Sequence, residues 1–224
     1  MNQRTAFITG ANGAIGQALC AAFHDAGYRV IASDQAETAE CPVDAYIRME
    51  CSRLCQDSAY HDEIINWLRA ELGDGGLHVL INNAAIQIVA PVDKLSVDDW
   101  HTSMDVNLVA PFLLIRAVLS ELKKAKGSVI NIASIHAQLT KPYFTAYATS
   151  KAALLGMTRS LAVELGNRVR VNAISPAAIA TPMLEAGFDG NSQGLAQLAA
   201  YHPSGSIGTT SDITEAALYL AQAE

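Results

Sequence analysis

Ser134, Tyr147 and Lys151 are three residues whose types and order could move a proton. Tyr147-Ala148-Thr149-Ser150-Lys151 sets a phenol and an amine four residues apart. On a helix those two positions lie ~40° apart around the axis and face one side. A free phenol has a pKa of about 10 and is a weak base near neutrality. A neighbouring ammonium favours the phenolate and lowers that value. Lowering it by ~3 units takes ~4 kcal/mol of differential interaction, so the amine must be close and a second positive charge must help. Ser134, a little upstream, adds a hydroxyl that can stabilise charge developing on a reacting oxygen. Tyr-x-x-x-Lys alone is common, and by spacing alone it describes a surface pair on a helix. Its meaning depends on what the chain builds around it.

A second constellation stands near the N-terminus. Thr9-Gly10-Ala11-Asn12-Gly13-Ala14-Ile15-Gly16 follows the apolar run Thr5-Ala6-Phe7-Ile8 and opens into Gln17-Ala18-Leu19-Cys20-Ala21-Ala22-Phe23. Strand, glycine turn and helix in that order make a pyrophosphate pocket. The glycines let backbone approach the phosphates, and the helix N-terminus offers unpaired N–H groups and a partial positive charge. Asp34 ends the next apolar run, roughly 20 residues on, where a carboxylate can accept hydrogen bonds from both hydroxyls of an adenosine ribose. Gly10, Asn12, Gly13, Ile15, Gly16 and Asp34 are therefore predicted to bind a dinucleotide. Asp34 would repel a 2′-phosphate, and neither the loop nor Gln35 supplies a cation to neutralise one, so NAD is favoured over NADP. Methyltransferases use similar loops, a ligand-free strand–helix turn has the same shape, and Asp34 could simply cap a turn.

Composition narrows the classes. Of 224 residues, half are apolar and 17% are charged, which fits one α/β domain with a well-covered core. The net charge of −7 without a basic cluster argues against nucleic acid. No apolar run reaches the ~18 residues of a membrane span, and an apolar strand begins too soon after Met1 for a secretory signal. A cytoplasmic location is expected. Cys20, Cys41, Cys51 and Cys55 form no CxxC pair and read as free thiols; Cys51 and Cys55 could share a helix face, and no metal site is expected.

The elements that must position these groups follow from periodicity. Apolar runs at Thr5–Thr9, Arg29–Ser33, Ala45–Met49, Val79–Asn82, Ser128–Ala133 and Arg170–Ser175 alternate with helical patterns at 14–26, 57–72, 97–122 and 146–166, and a last one at Ile213–Ala223. Strands apolar on both faces and separated by helices describe a doubly wound parallel sheet, an α/β fold of three layers. With no linker or repeat, residues 1–224 read as a single domain. Gly10, Asp34, Asn83, Ser134 and Pro176 each stand at the carboxyl end of a run, the edge where open α/β sheets bind ligands.

Thr9-Gly10-x-x-Gly13-x-x-Gly16, Asn82-Asn83-Ala84-Ala85, Asn107, Ser134, Tyr147-x-x-x-Lys151, Asn172 and Pro176 with Thr181-Pro182, in this order, resemble the short-chain dehydrogenase/reductases over essentially the whole chain. The resemblance implies a Rossmann-type oxidoreductase that moves hydride between a nicotinamide and a secondary alcohol or ketone. It implies Tyr147 as acid/base, Lys151 on the nicotinamide ribose and Ser134 on the substrate oxygen. It also places Asn83 and Ala84 beside the adenosine, Glu50 and Cys51 near the adenine, and Pro176, Ile179 and Thr181 around the carboxamide. Gln87, His136, Gln138, Met183 and Leu184 are expected to wall the substrate pocket, with Phe188 and Leu195 adding apolar surface and 182–203 serving as a lid. His136 could equally be a polar residue at the rim. Sugars, 3-hydroxyacyl groups, steroids and small polyols all fit as substrates, and a homodimer or homotetramer built on 97–122 and 146–166 is expected.

Asn107 carries an argument of its own. Pro111, four residues on, has no N–H for the carbonyl of Asn107, so that oxygen is expected to be free for a water. In the family the matching asparagine's main chain holds a water that relays protons to the lysine, which implies the same role here. An ordinary kinked core helix is the simpler alternative. Three departures stand against the family pattern: Ala85 and Ala177 replace the usual glycines, and the chain stops at Glu224, where family members continue into one more strand. The resemblance therefore implies that the natural chain continues past Glu224. A dinucleotide-binding or sensing protein without turnover is the rival reading, with a methyltransferase as a second.

Overall fold

The computed structural model describes residues 3–182, 184, 188 and 192–223. Six strands, β1 (Thr5–Thr9), β2 (Arg29–Asp34), β3 (Ala45–Arg48), β4 (Val79–Asn82), β5 (Ser128–Ile132) and β6 (Arg170–Ile174), pair in parallel in the order β3-β2-β1-β4-β5-β6. This is the doubly wound order, and it reverses direction between β1 and β4. The crevice that opens there lies at the carboxyl ends of those two strands.

Alternation along the strands makes the layers. Ala6 and Ile8 of β1 pack to one face, with Val30, Ala32, Ile81 and Ile130. That face is covered by Leu19, Cys20 and Phe23 of α1 (Ala14–Asp25) and by Ile213 and Ala217 of α9 (Thr210–Gln222). Phe7 points the other way, into a core with Ile31, Leu80, Val129 and Val171. There it meets Leu54 of α2 (Cys51–Gln56), Ile64 and Leu68 of α3 (Ser58–Leu72), and Leu165 of α7 (Thr145–Leu165). α8 (Ser192–Tyr201) precedes α9. Among the described residues no single helix is long and apolar enough to cross a membrane.

The continuous helix expected over 97–122 is broken twice. α4 (Val97–Met104) starts at Ser96, whose hydroxyl accepts from Asp99 N at 3.0 Å, and ends in a π-turn at Asp105–Val109. α5 (Ala110–Ala117) and α6 (Leu119–Ala125) follow, with a 62° bend where they meet. Pro111 explains the first break. Its ring and missing N–H are tolerated in the first turn of a helix, so α5 starts just before it. The preceding turn widens, with Ala110 N donating back five residues to Asp105 O. The short α2 is too brief to show a period in sequence.

A polar seam runs through the middle of the sheet. Asn82 Nδ2 donates to Asn131 Oδ1 at 2.8 Å, and Asn131 Nδ2 donates to Thr158 Oγ1 of α7 at 2.9 Å. Asn131 is fully buried, so both partners lose a hydrogen bond that water cannot replace if it is truncated. Asn131→Ala should cost about 1–3 kcal/mol and lower the melting temperature by roughly 2–4 °C for each kcal/mol lost, measured by calorimetry. An unchanged melting temperature would show that the seam is energetically idle.

Candidate active site

The glycine loop is shaped by two contacts that leave no room for a side chain. Gly10 has φ +67°, and a Cβ there would lie 2.7 Å from Ala84 Cα, because β1 and β4 end side by side. A Cβ on Gly16 would fall 2.0 Å from Gly10 O. Around this turn, Ala11 N donates to Ser33 O at 3.0 Å and Asn12 N to Asp34 Oδ2 at 3.0 Å. α1 then begins at Gly13 with no side-chain cap and no acidic residue in its first turn. Ile15 in that turn is partly buried. An uncapped helix end facing the crevice suits a pyrophosphate.

Several predicted cofactor residues do their visible work on protein. The Asn12 side chain grips the 36–40 turn, donating to Thr38 O at 2.8 Å and accepting from Glu40 N at 2.9 Å. Asp34 also accepts from Ala36 N at 3.4 Å, a turn-cap contact, while its carboxylate keeps lone pairs for a ribose. Asn83 Nδ2 staples the end of β1 through Thr9 O at 3.0 Å and Gly10 O at 2.9 Å. Thr9 Oγ1 accepts from the backbone N–H of both Asn83 and Ala84 at 3.1 Å. Glu50 N donates to Tyr60 Oη at 3.0 Å, and the Glu50 carboxylate pairs with Arg48 at 2.7 Å. Cys51 opens α2; burial pushes its thiol up to about 12, with the Asp34 charge as the second cause.

The catalytic candidates converge between β5 and α7. Ser134 follows β5, is buried, and accepts from His136 N at 3.2 Å. Tyr147 sits in the first turn of α7. Burial pushes its phenol up, and a hydrogen bond with the Ser134 side chain partly offsets this. Lys151 lies one turn further along with only 2% of its surface exposed, its Nζ donating to Ile132 O at 2.7 Å. Burial alone pulls its pKa down to about 8. Lys151 Nζ is 5.8 Å from the Tyr147 ring centroid and turned to a backbone carbonyl, and burial is the largest influence on the phenol.

Asn107, in the π-turn, is almost fully buried and acts through its side chain. Its Oδ1 accepts from Ile86 N at 2.9 Å, and its Nδ2 donates to Ile86 O at 2.9 Å and to Ser150 Oγ at 3.0 Å. Ser150 Oγ in turn donates to Tyr147 O at 2.8 Å. Asn107 thereby ties the loop after β4 to the turn of α7 that carries Tyr147. Ser150 had no distinguishing signal in the sequence beyond lying inside the Tyr–Lys motif.

On the substrate side, His136 lies against Phe144, with ring centroids 4.6 Å apart, and edge-on to Tyr147 at 6.1 Å. Burial, then the Lys141 charge, pulls its pKa down, and its Nδ1 is buried without a partner among the described residues. Phe144 escaped the sequence reading. Gln87 is partly buried in the loop that Asn107 holds, whereas Gln138 is exposed. Pro176 O accepts from Ile135 N at 2.8 Å, joining the end of β6 to the Ser134 turn. Ile179 bridges Gly208, and Thr181 Oγ1 accepts from Leu184 N at 3.3 Å. Met183 and the Leu195 side chain lie outside the described residues.

A dinucleotide cradle and a Ser–Tyr–Lys cluster on one sheet edge define an oxidoreductase site, and the comparisons agree. Residues 10–224 match the family described as enoyl-(acyl carrier protein) reductase. The chain is 30% identical to 3beta-hydroxysteroid dehydrogenase 1 of Eggerthella lenta, over 97% of this chain and 86% of that one. Among solved structures, 4-hydroxyisoleucine dehydrogenase complexed with NADH superposes with a TM-score of 0.81 at 32% identity, covering 99% of this chain and 91% of that one. An NAD(P)-dependent gluconate 5-dehydrogenase of Beutenbergia cavernae with bound NADP gives 0.84 at 28%, covering 97% and 88%. The chain belongs to the short-chain dehydrogenase/reductase family. It is a hydride-transferring oxidoreductase that uses a nicotinamide dinucleotide.

The buried lysine gives a pH signature. Unfolded, Lys151 titrates near 10.5; folded, near 8. Between those values the unfolded chain binds the extra proton, so stability rises with pH there. Tyr147, raised by burial, works in the opposite sense only above its unfolded value of 10. Relative to Lys151→Met, the wild type should gain on the order of 3 kcal/mol between pH 7.5 and 10, measured by urea unfolding. A flat difference across that range would show that the ammonium is not desolvated.

Proposed function

We propose that residues 1–224 act as one domain that oxidises a secondary alcohol or reduces the matching ketone, with NAD preferred over NADP. The convergence of Ser134, Tyr147 and Lys151 beside the glycine cradle carries this reading. The cofactor, when bound, accepts or supplies the hydride. Tyr147 exchanges the hydroxyl proton, as base in oxidation and as acid in reduction. Ser134 can turn its hydroxyl hydrogen toward the substrate oxygen, since its own oxygen is already oriented by His136 N. Lys151 spends one of its three donors on Ile132 O, leaving two for the nicotinamide ribose and for proton transfer. With a bound oxidised nicotinamide and a charged Lys151, the phenolate gains the positive charge that burial alone denies it.

Gly10, Gly13, Ile15 and Gly16 cradle the pyrophosphate, Asp34 takes the adenosine ribose, Ala84 and Asn83 border the adenosine, and Glu50 and Cys51 lie toward the adenine. Pro176, Ile179 and Thr181 face the carboxamide. Asn107 is a positioning residue, and Pro111, which has no N–H to offer, leaves its carbonyl for a relay water. Gln87, His136, Gln138, Met183 and Leu184 are assigned to the substrate side, with 182–203 covering it. Exposed apolar side chains on the outer helices, Val97 of α4, Phe112 of α5 and Val163 of α7, support a homo-oligomer. A cytoplasmic setting fits the four free cysteines.

A panel of secondary alcohols followed by NADH production, with NADP⁺ alongside, tests the reaction. Tyr147→Phe should lower turnover of any active alcohol by roughly 10²–10⁴-fold while NADH still binds. Undiminished turnover in that variant would remove Tyr147 from the chemistry.

A further inference from the structure

Parallel pairing sets Asp34, the last residue of β2, opposite Arg48, the last of β3. No Arg or Lys lies in the glycine loop or just after Asp34, yet the fold brings this guanidinium to the same edge. Arg48 Nε donates to Gln35 O at 3.1 Å, the carbonyl directly after Asp34. Its two other nitrogens are held by Glu37, through Nη1, and by Glu50 Oε1, through Nη2 at 2.7 Å. Tyr46 Oη donates to Ala36 O at 2.7 Å and pins the turn from which Glu37 reaches Arg48.

We propose that Arg48 is a reserve binding group for a 2′-phosphate, kept off that ligand by Glu37 and Glu50, so that Asp34 and Glu37 together set the cofactor preference. The inference rests on the NAD reading above and deepens it. Two carboxylates hold the guanidinium and a third, Asp34, ends the neighbouring strand, so a 2′-phosphate arriving there meets net negative charge. The clamp is shallow: Arg48 is 48% exposed, Glu37 77% and Glu50 45%. Exposed ion pairs are weak, whereas a guanidinium N–H on a phosphate makes a charge-assisted hydrogen bond. Removing Asp34 alone lifts one repulsion but leaves the fork occupied. Neutralising Glu37 as well frees Nη1 for the phosphate.

The test titrates NADH and NADPH, by nicotinamide fluorescence, into wild type, Asp34→Ser, Asp34→Ser/Glu37→Gln and the triple variant that adds Arg48→Ala. Glu37→Gln on the Asp34→Ser background should tighten NADPH by about tenfold or more, and Arg48→Ala should reverse that gain while NADH changes by less than about threefold. The gain should shrink at high salt. The proposal fails if the double variant holds NADPH no better than Asp34→Ser, if the triple variant keeps the gain, or if NADH affinity falls in parallel, which would make Arg48 structural. A wild type that holds NADPH as tightly as NADH overturns the NAD preference instead, and the step from double to triple variant still decides the role of Arg48.

Discussion

The site depends on how closely the ends of β1 and β4 approach. Gly10 lies against Ala84 so tightly that a methyl group would meet the Ala84 backbone at 2.7 Å. Thr9 and Asn83 lock that approach from both sides: the threonine hydroxyl accepts from the Asn83 and Ala84 N–H groups, and the asparagine amide donates to the Thr9 and Gly10 carbonyls. With these strand ends fixed, the reversal of strand order becomes a crevice of defined width, and the start of α1 points into it. Asn83, read from sequence as bordering the adenosine, is also part of the joinery of the crevice, setting where the backbone stands.

Across the sheet, Lys151 solves a different problem. An ammonium in a dry pocket is costly, and its hydrogen bond to Ile132 O offsets only part of that. The consequence is a lysine held near neutrality in its titration, about 8, beside a phenol that burial makes a poorer acid. Positive charge placed beside such a phenol favours its ionised form.

Much of this was legible in the chain because strand ends and short motifs are local. The apolar runs, the glycine turn, Asp34, Ser134 and the Tyr147–Lys151 spacing each need only neighbouring residues to be read. What escaped was set by register or by backbone partners. Arg48 reaches the carboxyl edge beside Asp34 because β3 pairs next to β2 with Asp34 opposite it, a relation that sequence distance hides. Lys151 was read toward Tyr147, but a main-chain oxygen of β5 claims it, and carbonyls leave no mark in a sequence. α2 is too short for a helical period to show.

Asn107 and Pro111 show where local inference goes only half way. Proline's missing N–H correctly marked a defect in the helix. Its outcome could not be read, because a helix can meet that defect by leaving a carbonyl free, by kinking, or by widening into a π-turn. Here the turn widens, Ala110 N returning to Asp105 O, a bond that does not use the Asn107 carbonyl. Asn107 lies buried in that turn, where its amide satisfies both backbone groups of Ile86 and reaches Ser150. A straight α-helix would present that position differently, and the loop after β4 would lose its anchor to α7. The imperfect turn is thus the geometry that lets one side chain hold the loop, the helix and the Tyr147 backbone in a single hydrogen-bonded chain.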